Sequence, residues 1–220
     1  VGLSAHTNVE LLAEQVRRYQ PKFAAVTGDP QAERFRTLMN GQGPTILSGP
    51  GCLTDLVETD GVDTVLTAVG GAAGLPSALA AAKAGKRLAI ANKEPLVIAG
   101  ELLTRAAAEH GSTLVPVDSE HSAVFQAMQS GSTREVLRIL LTGSGGPFRG
   151  ATREALANVT KEQALSHPVW SMGPKITIDS ATMMNKALEV IEARWLFDVP
   201  VDRIEVLIHP ESIVHSLVEF

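Results

Sequence analysis

Residues 63–92 read DTVLTAVGGAAGLPSALAAAKAGKRLAIAN. The stretch opens with a short apolar run containing Thr and Val, crosses a pair of glycines, and continues as an alanine-rich segment. It closes on a second apolar run. A strand, a Gly-rich turn, a helix ended near Gly85 and a second strand account for this order. Two strands joined through a helix must lie parallel, and a parallel sheet needs helices on its faces. The same alternation extends in both directions. FAAVT (23–27), TILSG (45–49) and TLVPVD (113–118) read as strands. DPQAERFRTLMN (29–40), GCLTDLVETD (51–60) and PLVIAGELLTRAAAEHG (95–111) read as helices, the first with Asp29 as its cap and Pro30 in its first turn. The fold class expected is α/β, a Rossmann-like and mostly parallel sheet followed by an α+β catalytic domain. Ligands of such sheets sit at the carboxyl ends of strands, where TAVGGAAG and IANKE fall.

After residue 117 the pattern changes. REVLRILLTGSGGPFRG (134–150) reads as a strand ending in glycines, and TREALANVTKEQALSHPVWSMGPK (152–175) as a helix and a Pro/Gly-rich loop. TIDSATMMNKALEVIEARWLF (177–197) reads as a strand end and a long amphipathic helix, and EVLIHPESIVHSLVEF (205–220) as strand, turn, strand. Two domains are expected, 1–117 and 118–220. The first residues, VGLSAHTNVELL, read as a strand end entering a helix, so both ends of the chain are expected inside structure, as in a fragment.

The chain has 220 residues, 45% of them apolar and 20% charged, with a net charge of −5. That composition suits a soluble globular protein and argues against a non-specific nucleic-acid binder, while leaving room for a local basic patch. Cys52 is the single cysteine, which excludes an intrachain disulfide and a cysteine-based metal site. The apolar runs are too short to cross a bilayer.

Three stretches could carry chemistry. In VPVDSEHSAVFQ (115–126), Asp118 and Glu120 lie on one face if the preceding strand continues through them. Paired carboxylates repel unless a cation joins them or one is protonated, and oxygen ligands favour Mg²⁺ or Mn²⁺. The plainer reading is a strand end with two solvated acids, or Asp118 capping the next helix. In IDSATMMNKALEVIEARW (178–195), Asp179 or Ser180 can cap a helix, and Asn185, Lys186 and Glu189 share a face. Ser180 would then sit where helix N–H groups favour a phosphate, with Glu189 as a third carboxylate. The plainer reading is a capped helix with a surface Lys–Glu pair. LLTGSGGPF (140–148) offers a Gly-rich loop for an anion, or a tight turn. SHPVWSMGPK (166–175) places Trp170 in a loop that could close over a substrate or pack on the core.

Taken in order, ANKEPLV, PVDSEHSAVFQ, LTGSGGPF, HPVWSMGPKITIDSATMMNKALEVIEARWLF and EVLIHPESIVHS resemble the 1-deoxy-D-xylulose 5-phosphate reductoisomerase family. The resemblance implies a phosphorylated ketose as substrate. The carbon skeleton rearranges in a metal-dependent step, and NADPH reduction then gives 2-C-methyl-D-erythritol 4-phosphate, in non-mevalonate isoprenoid synthesis. It also implies site residues. Asp118, Glu120 and Glu189 match the ligands of Mg²⁺ or Mn²⁺, and Lys93, Glu120 and His167 the catalytic set. Ser144, Ser180, Asn185 and Lys186 match the phosphate pocket, and Lys93, Ser119, His167, Trp170 and Glu189 further substrate contacts. Asn8, Ala68 in the AVGG turn, Asn92, Glu94, Met172 and Gly173 match NADPH contacts, while His209 and His215 approach the site. The family's Gly-rich phosphate loop has no counterpart here, and its C-terminal helical domain is not represented. A homodimer is implied for the full-length protein, in the bacterial cytoplasm, or in a plastid if a transit peptide was removed. A generic NAD(P)-dependent dehydrogenase, and an inert fragment or binding module, are the competing readings.

Overall fold

The computed structural model describes residues 1–220. The first half runs β1 (Gly2–Ala5), α1 (Val9–Tyr19), β2 (Phe23–Val26), α2 (Asp29–Met39), β3 (Thr45–Ser48) and α3 (Cys52–Glu58). It continues with β4 (Thr64–Thr67), α4 (Leu75–Lys83), β5 (Arg87–Ile90), α5 (Glu94–His110) and β6 (Thr113–Pro116). All the pairings here are parallel, in two three-stranded sheets ordered β1-β2-β3 and β4-β5-β6. The expected alternation is therefore present, with the strands divided between two sheets.

The local signals act much as the sequence suggests. Asn8 caps α1, its side chain accepting from the Leu11 N–H at 3.1 Å. The cap of α2 is Gly28, so Asp29 is the first helical residue and lies where its charge favours the helix dipole. Gly85, with φ 66°, follows the cap residue of α4 and turns the chain into β5. Each sheet has its own apolar core. Phe35, Leu12 and Val26 fill one, and Leu88, Leu96 and Leu103 fill the other. Every such fully buried side chain contributes about 1.5–3 kcal/mol.

The second half contains α6 (Ser119–Ala127), β7 (Arg138–Gly143), α7 (Arg153–Leu156), α8 (Lys161–Ala164), α9 (Pro174–Ala181), α10 (Met184–Phe197), β8 (Ile204–Ile208) and β9 (Ser216–Glu219). Its sheet is mixed, in the order β8-β7-β9, with β8 parallel and β9 antiparallel to β7.

Three expectations need correction here. Thr177–Asp179 belong to α9 and not to a strand end. Asp179 and Ser180 therefore do not cap α10, whose cap position is Met183 at φ 60°. The single helix expected after Thr152 is two short helices, each started by a threonine side chain, Thr152 and Thr160.

The long helix α10 packs across α5. Trp195 and Leu196 lie against the core of the β4-β5-β6 layer. Trp195 sits over Gly100, where a Cβ would stand 2.1 Å from its ring, beside a break in helical geometry at Ala99. This contact draws the start of α5, and with it Lys93, toward one face of α10. No helix is long and apolar enough to cross a membrane.

Candidate active site

The ends of β5, β6 and β7 and one face of α10 meet around a cavity of about 450 Å³. Every residue expected as catalytic, substrate-binding or metal-ligating lines it, together with Met172 and His215. Asn8, Ala68, Asn92, Glu94, Gly173 and His209 do not. Asn92 has both amide atoms buried without a partner, and Glu94 is paired with Lys175 at 2.9 Å.

Asp118 and Glu120 converge by a route other than strand alternation. β6 ends at Pro116, Asp118 takes the cap position of α6 without a capping side-chain bond, and Glu120 lies in the first turn. Asp118 is thereby free to accept from Lys93, with which it forms a close ion pair. Glu120 accepts from Lys186 at 2.8 Å and from Ser119 at 2.6 Å.

On α10, Lys186, Glu189 and Glu192 follow at intervals of three and face inward, each no more than 4% exposed. The expected surface Lys–Glu pair is therefore a buried one, with Lys186 donating to Glu189 at 2.6 Å. Lys93 lies 3.4 Å from Glu189 and 3.8 Å from Glu192.

Buried carboxylates and lysines are tolerated only in company. Burial acts to raise the Glu120 carboxyl, but the charge and hydrogen bond of Lys186 outweigh it and hold the group below the usual range. Burial pushes Glu192 up. Four carboxylates face two ammonium groups here, an excess of two negative charges if all are ionised. One divalent cation carries the charge that balances it. The ligand atoms of Asp118, Glu120 and Glu189 lie within 4.8 Å of one another, and oxygen donors of this kind suit Mg²⁺ or Mn²⁺. Asp118, His121 and Glu192 form a second group within the same limit.

The rest of the lining is uncharged and rich in hydroxyls. Ser144 follows β7 in a loop where Gly145 and Gly146 have φ of 87° and 69°. The Gly146 N–H donates to Ser144 Oγ at 3.2 Å. A Cβ on Gly146 would lie 2.5 Å from the Ser180 carbonyl, so glycine is what lets this loop approach α9. Ser180 stands near the end of α9, and an argument from a helix N-terminus does not apply to it.

His167 Nδ1 accepts from the backbone N–H groups of Val169 and Trp170, at 3.1 and 2.9 Å. Its proton therefore resides on Nε2, which points at Ser144 Oγ at 3.2 Å. Burial lowers the pKa of this imidazole, in keeping with a neutral ring. The same bonds shape the loop that carries Trp170, half exposed at the cavity mouth.

Sequence reasoning missed Ser212, Thr142, Ile176 and Glu192. Ser212 lies in a turn at φ 51°, its N–H donating to the His209 carbonyl at 3.1 Å. Thr142 is 2.7 Å from the carbonyls of both Val214 and His215. Only the spacing of Glu192 from Glu189 could have signalled it.

The family model for 1-deoxy-D-xylulose 5-phosphate reductoisomerase matches residues 1–100, and the one for that enzyme's C-terminal domain matches residues 114–197. The reductoisomerase of Chlorobium chlorochromatii is 51% identical over the whole chain, and that of Xanthomonas axonopodis pv. citri is 53% identical over 99% of it. Among solved structures, a DOX-P reductoisomerase in complex with NADPH, fosmidomycin and magnesium superposes over the whole chain with a TM-score of 0.93 at 41% identity. The Zymomonas mobilis enzyme in complex with NADPH gives 0.92 at 42%. The chain spans 58% and 56% of the two sequence relatives and 56% of each of these structures. With two models of one family matching most of its length, and relatives more than half identical to it, the chain belongs to the 1-deoxy-D-xylulose 5-phosphate reductoisomerase family.

Proposed function

We propose that this chain carries the metal- and phosphate-binding centre of a reductoisomerase that converts 1-deoxy-D-xylulose 5-phosphate to 2-C-methyl-D-erythritol 4-phosphate. The observation behind this reading is one cavity with two chemically distinct poles. Three carboxylates and Lys93 form one pole, the hydroxyls and amide of Ser144, Ser180 and Asn185 form the other, and Lys186, which passes beside Gly143 and pairs with Glu120 and Glu189, belongs to both. Residues 1–117 are the nucleotide-binding part and residues 118–220 the catalytic part. The full-length enzyme acts as a homodimer in the bacterial cytoplasm.

Asp118, Glu120 and Glu189 are the residues that hold Mg²⁺ or Mn²⁺. When bound, the cation supplies Lewis-acid stabilisation of negative charge, and NADPH supplies the hydride. The protein's own groups do the rest. Ser144, Ser180, Asn185 and Lys186 anchor the phosphate, so that remote binding energy orients the reacting carbons. Lys93 places an ammonium group where charge develops, inside a site that water enters poorly. His167, as an Nε2–H donor, fixes Ser144 and holds the backbone of the loop bearing Trp170. That loop closes the cavity mouth and excludes water. Asn92 has unpartnered amide atoms close to the Ala68–Gly71 turn and supports a nucleotide contact there.

The test is absorbance-monitored NADPH oxidation with 1-deoxy-D-xylulose 5-phosphate, with and without Mn²⁺. Metal-dependent oxidation is expected. Equal oxidation of simple hydroxy acids or aldehydes without metal would point instead to a generic dehydrogenase.

A further inference from the structure

Glu192 is 2% exposed, its Oε2 has no hydrogen-bond partner, and the metal-ligand set proposed above leaves it out. A buried carboxylate oxygen without a partner is costly, so something must engage it in the working site. Two groups are within reach. Lys93 Nζ lies 3.8 Å away and His121 Nδ1 3.7 Å. His121 is held from its far side, Nε2 donating to the Glu189 carbonyl at 2.9 Å. With its proton on Nε2, the neutral ring turns the Nδ1 lone pair toward Glu192 and offers that carboxylate no hydrogen bond.

Lys93 is differently placed. Its ammonium is shared among Asp118, Glu189 and Glu192. The first two belong to the cation ligand set, and oxygens that coordinate a divalent ion are poor partners for an ammonium group beside it. Glu192 is the one carboxylate around Lys93 outside that set.

We infer that Glu192 is the positioning residue of Lys93, accepting its ammonium when a divalent cation takes Asp118 and Glu189. The inference rests on the metal centre proposed above. Closing the 3.8 Å gap to hydrogen-bond distance needs a shift of about 1 Å, within reach of a flexible lysine side chain. The raised pKa of Glu192 agrees with a carboxyl short of partners. Lys93 leaves the carboxylates it shares with the cation yet remains in the cavity, held from behind.

The experiment is a double-mutant cycle read as Mn²⁺ affinity by calorimetry, in the absence of substrate and nucleotide. With Lys93 present, Glu192→Gln leaves the displaced ammonium without a carboxylate, so Mn²⁺ binding weakens about tenfold. In a Lys93→Met background the same change has less than a twofold effect. Glu192→Asp, shorter by one methylene, provides a second variant, with a weakening of about threefold that also vanishes without Lys93. Equal weakening in both backgrounds would make Glu192 a metal ligand and overturn the inference. No weakening in either would do the same, leaving Glu192 neutral or structural. Failure of the metal centre is a separate outcome. It would show as unmodified protein that binds no Mn²⁺, or as Mn²⁺ binding unaffected by Glu189→Gln, and the inference would fall with it.

Discussion

Two kinds of interior fill this fold. In the cores of the two parallel sheets Phe35, Leu88, Leu96 and Leu103 are wholly buried among other apolar groups. In the other kind, the buried face of α10 presents Lys186, Glu189 and Glu192 to Lys93 and Asp118. The first interior gains stability from every methylene it removes from water. The second must offset the loss of hydration with ion pairs, and such clusters contribute little net stability. A fold retains an interior of that kind for the chemistry it performs.

The contrast can be broken by exchanging the probe. Phe35→Ala should lower stability by about 3–5 kcal/mol, through lost transfer energy and the cavity left behind. Urea unfolding measures it. Glu189→Gln should do the reverse. It should weaken Mn²⁺ binding about 100-fold, close to 2.7 kcal/mol, because it removes one of the three carboxylates proposed as ligands. Its unfolding free energy without divalent ions should change by no more than about 1 kcal/mol, since one charge of the negative excess is removed. Were Glu189→Gln to destabilise the protein as much as Phe35→Ala, the charged interior would be a structural network and not a metal centre.

Gly146→Ala sharpens the comparison on the phosphate side. The residue sits at φ 69°, and an added Cβ would meet the Ser180 carbonyl at 2.5 Å. The backbone must shift, at a cost of about 1–3 kcal/mol, and Ser144 would move with it. Binding of inorganic phosphate should fall while Mn²⁺ binding holds. Loss of both together would mean that the two poles of the cavity are not separable.

The two interiors also differ in how far the sequence reveals them. Alternating apolar runs such as FAAV and RLAI, punctuated by Gly85, place the strands and helices of the first half with little error. Their division between two sheets was not legible, because pairing order depends on packing and not on periodicity. In the second half, spacing put Asn185, Lys186 and Glu189 on one face but left open whether that face met water or the core. Charged residues read as surface by default, and it takes the packing of α5 and α6 on α10, which sets Lys93 and His121 against this face, to cover it. The α9 segment reads as a strand end because Ile176-Thr177-Ile178 favours a strand, whereas Pro174 in the first turn suits the helix that forms. The resemblance to a known family, and not periodicity, is what singles out the residues that line the candidate site. It supplied no sign of Glu192.

The smallest effect lies where the two halves touch at the surface. Lys175, at the start of α9, donates to Glu94 at the start of α5 at 2.9 Å and to Asp179 at 2.7 Å. Burial alone would raise the Glu94 carboxyl, but the Lys175 hydrogen bond and charge prevail and hold it below the ordinary 4.5. A carboxylate lowered by folding stabilises the protein fully above 4.5, and the contribution is lost as pH falls through its folded value. Lys175→Met should therefore cost about 0.5–1 kcal/mol near neutrality, the size of an ion pair with one solvated partner. The difference from the unmodified protein should shrink toward zero on acidification below 4.5, as urea midpoints between pH 3 and pH 7 would show. The acid limb itself should persist in the variant, because Glu120 is lowered independently by Lys186. A deficit constant across that pH range would assign the effect to the lysine's packing, and the ion pair between the halves would then carry none of it.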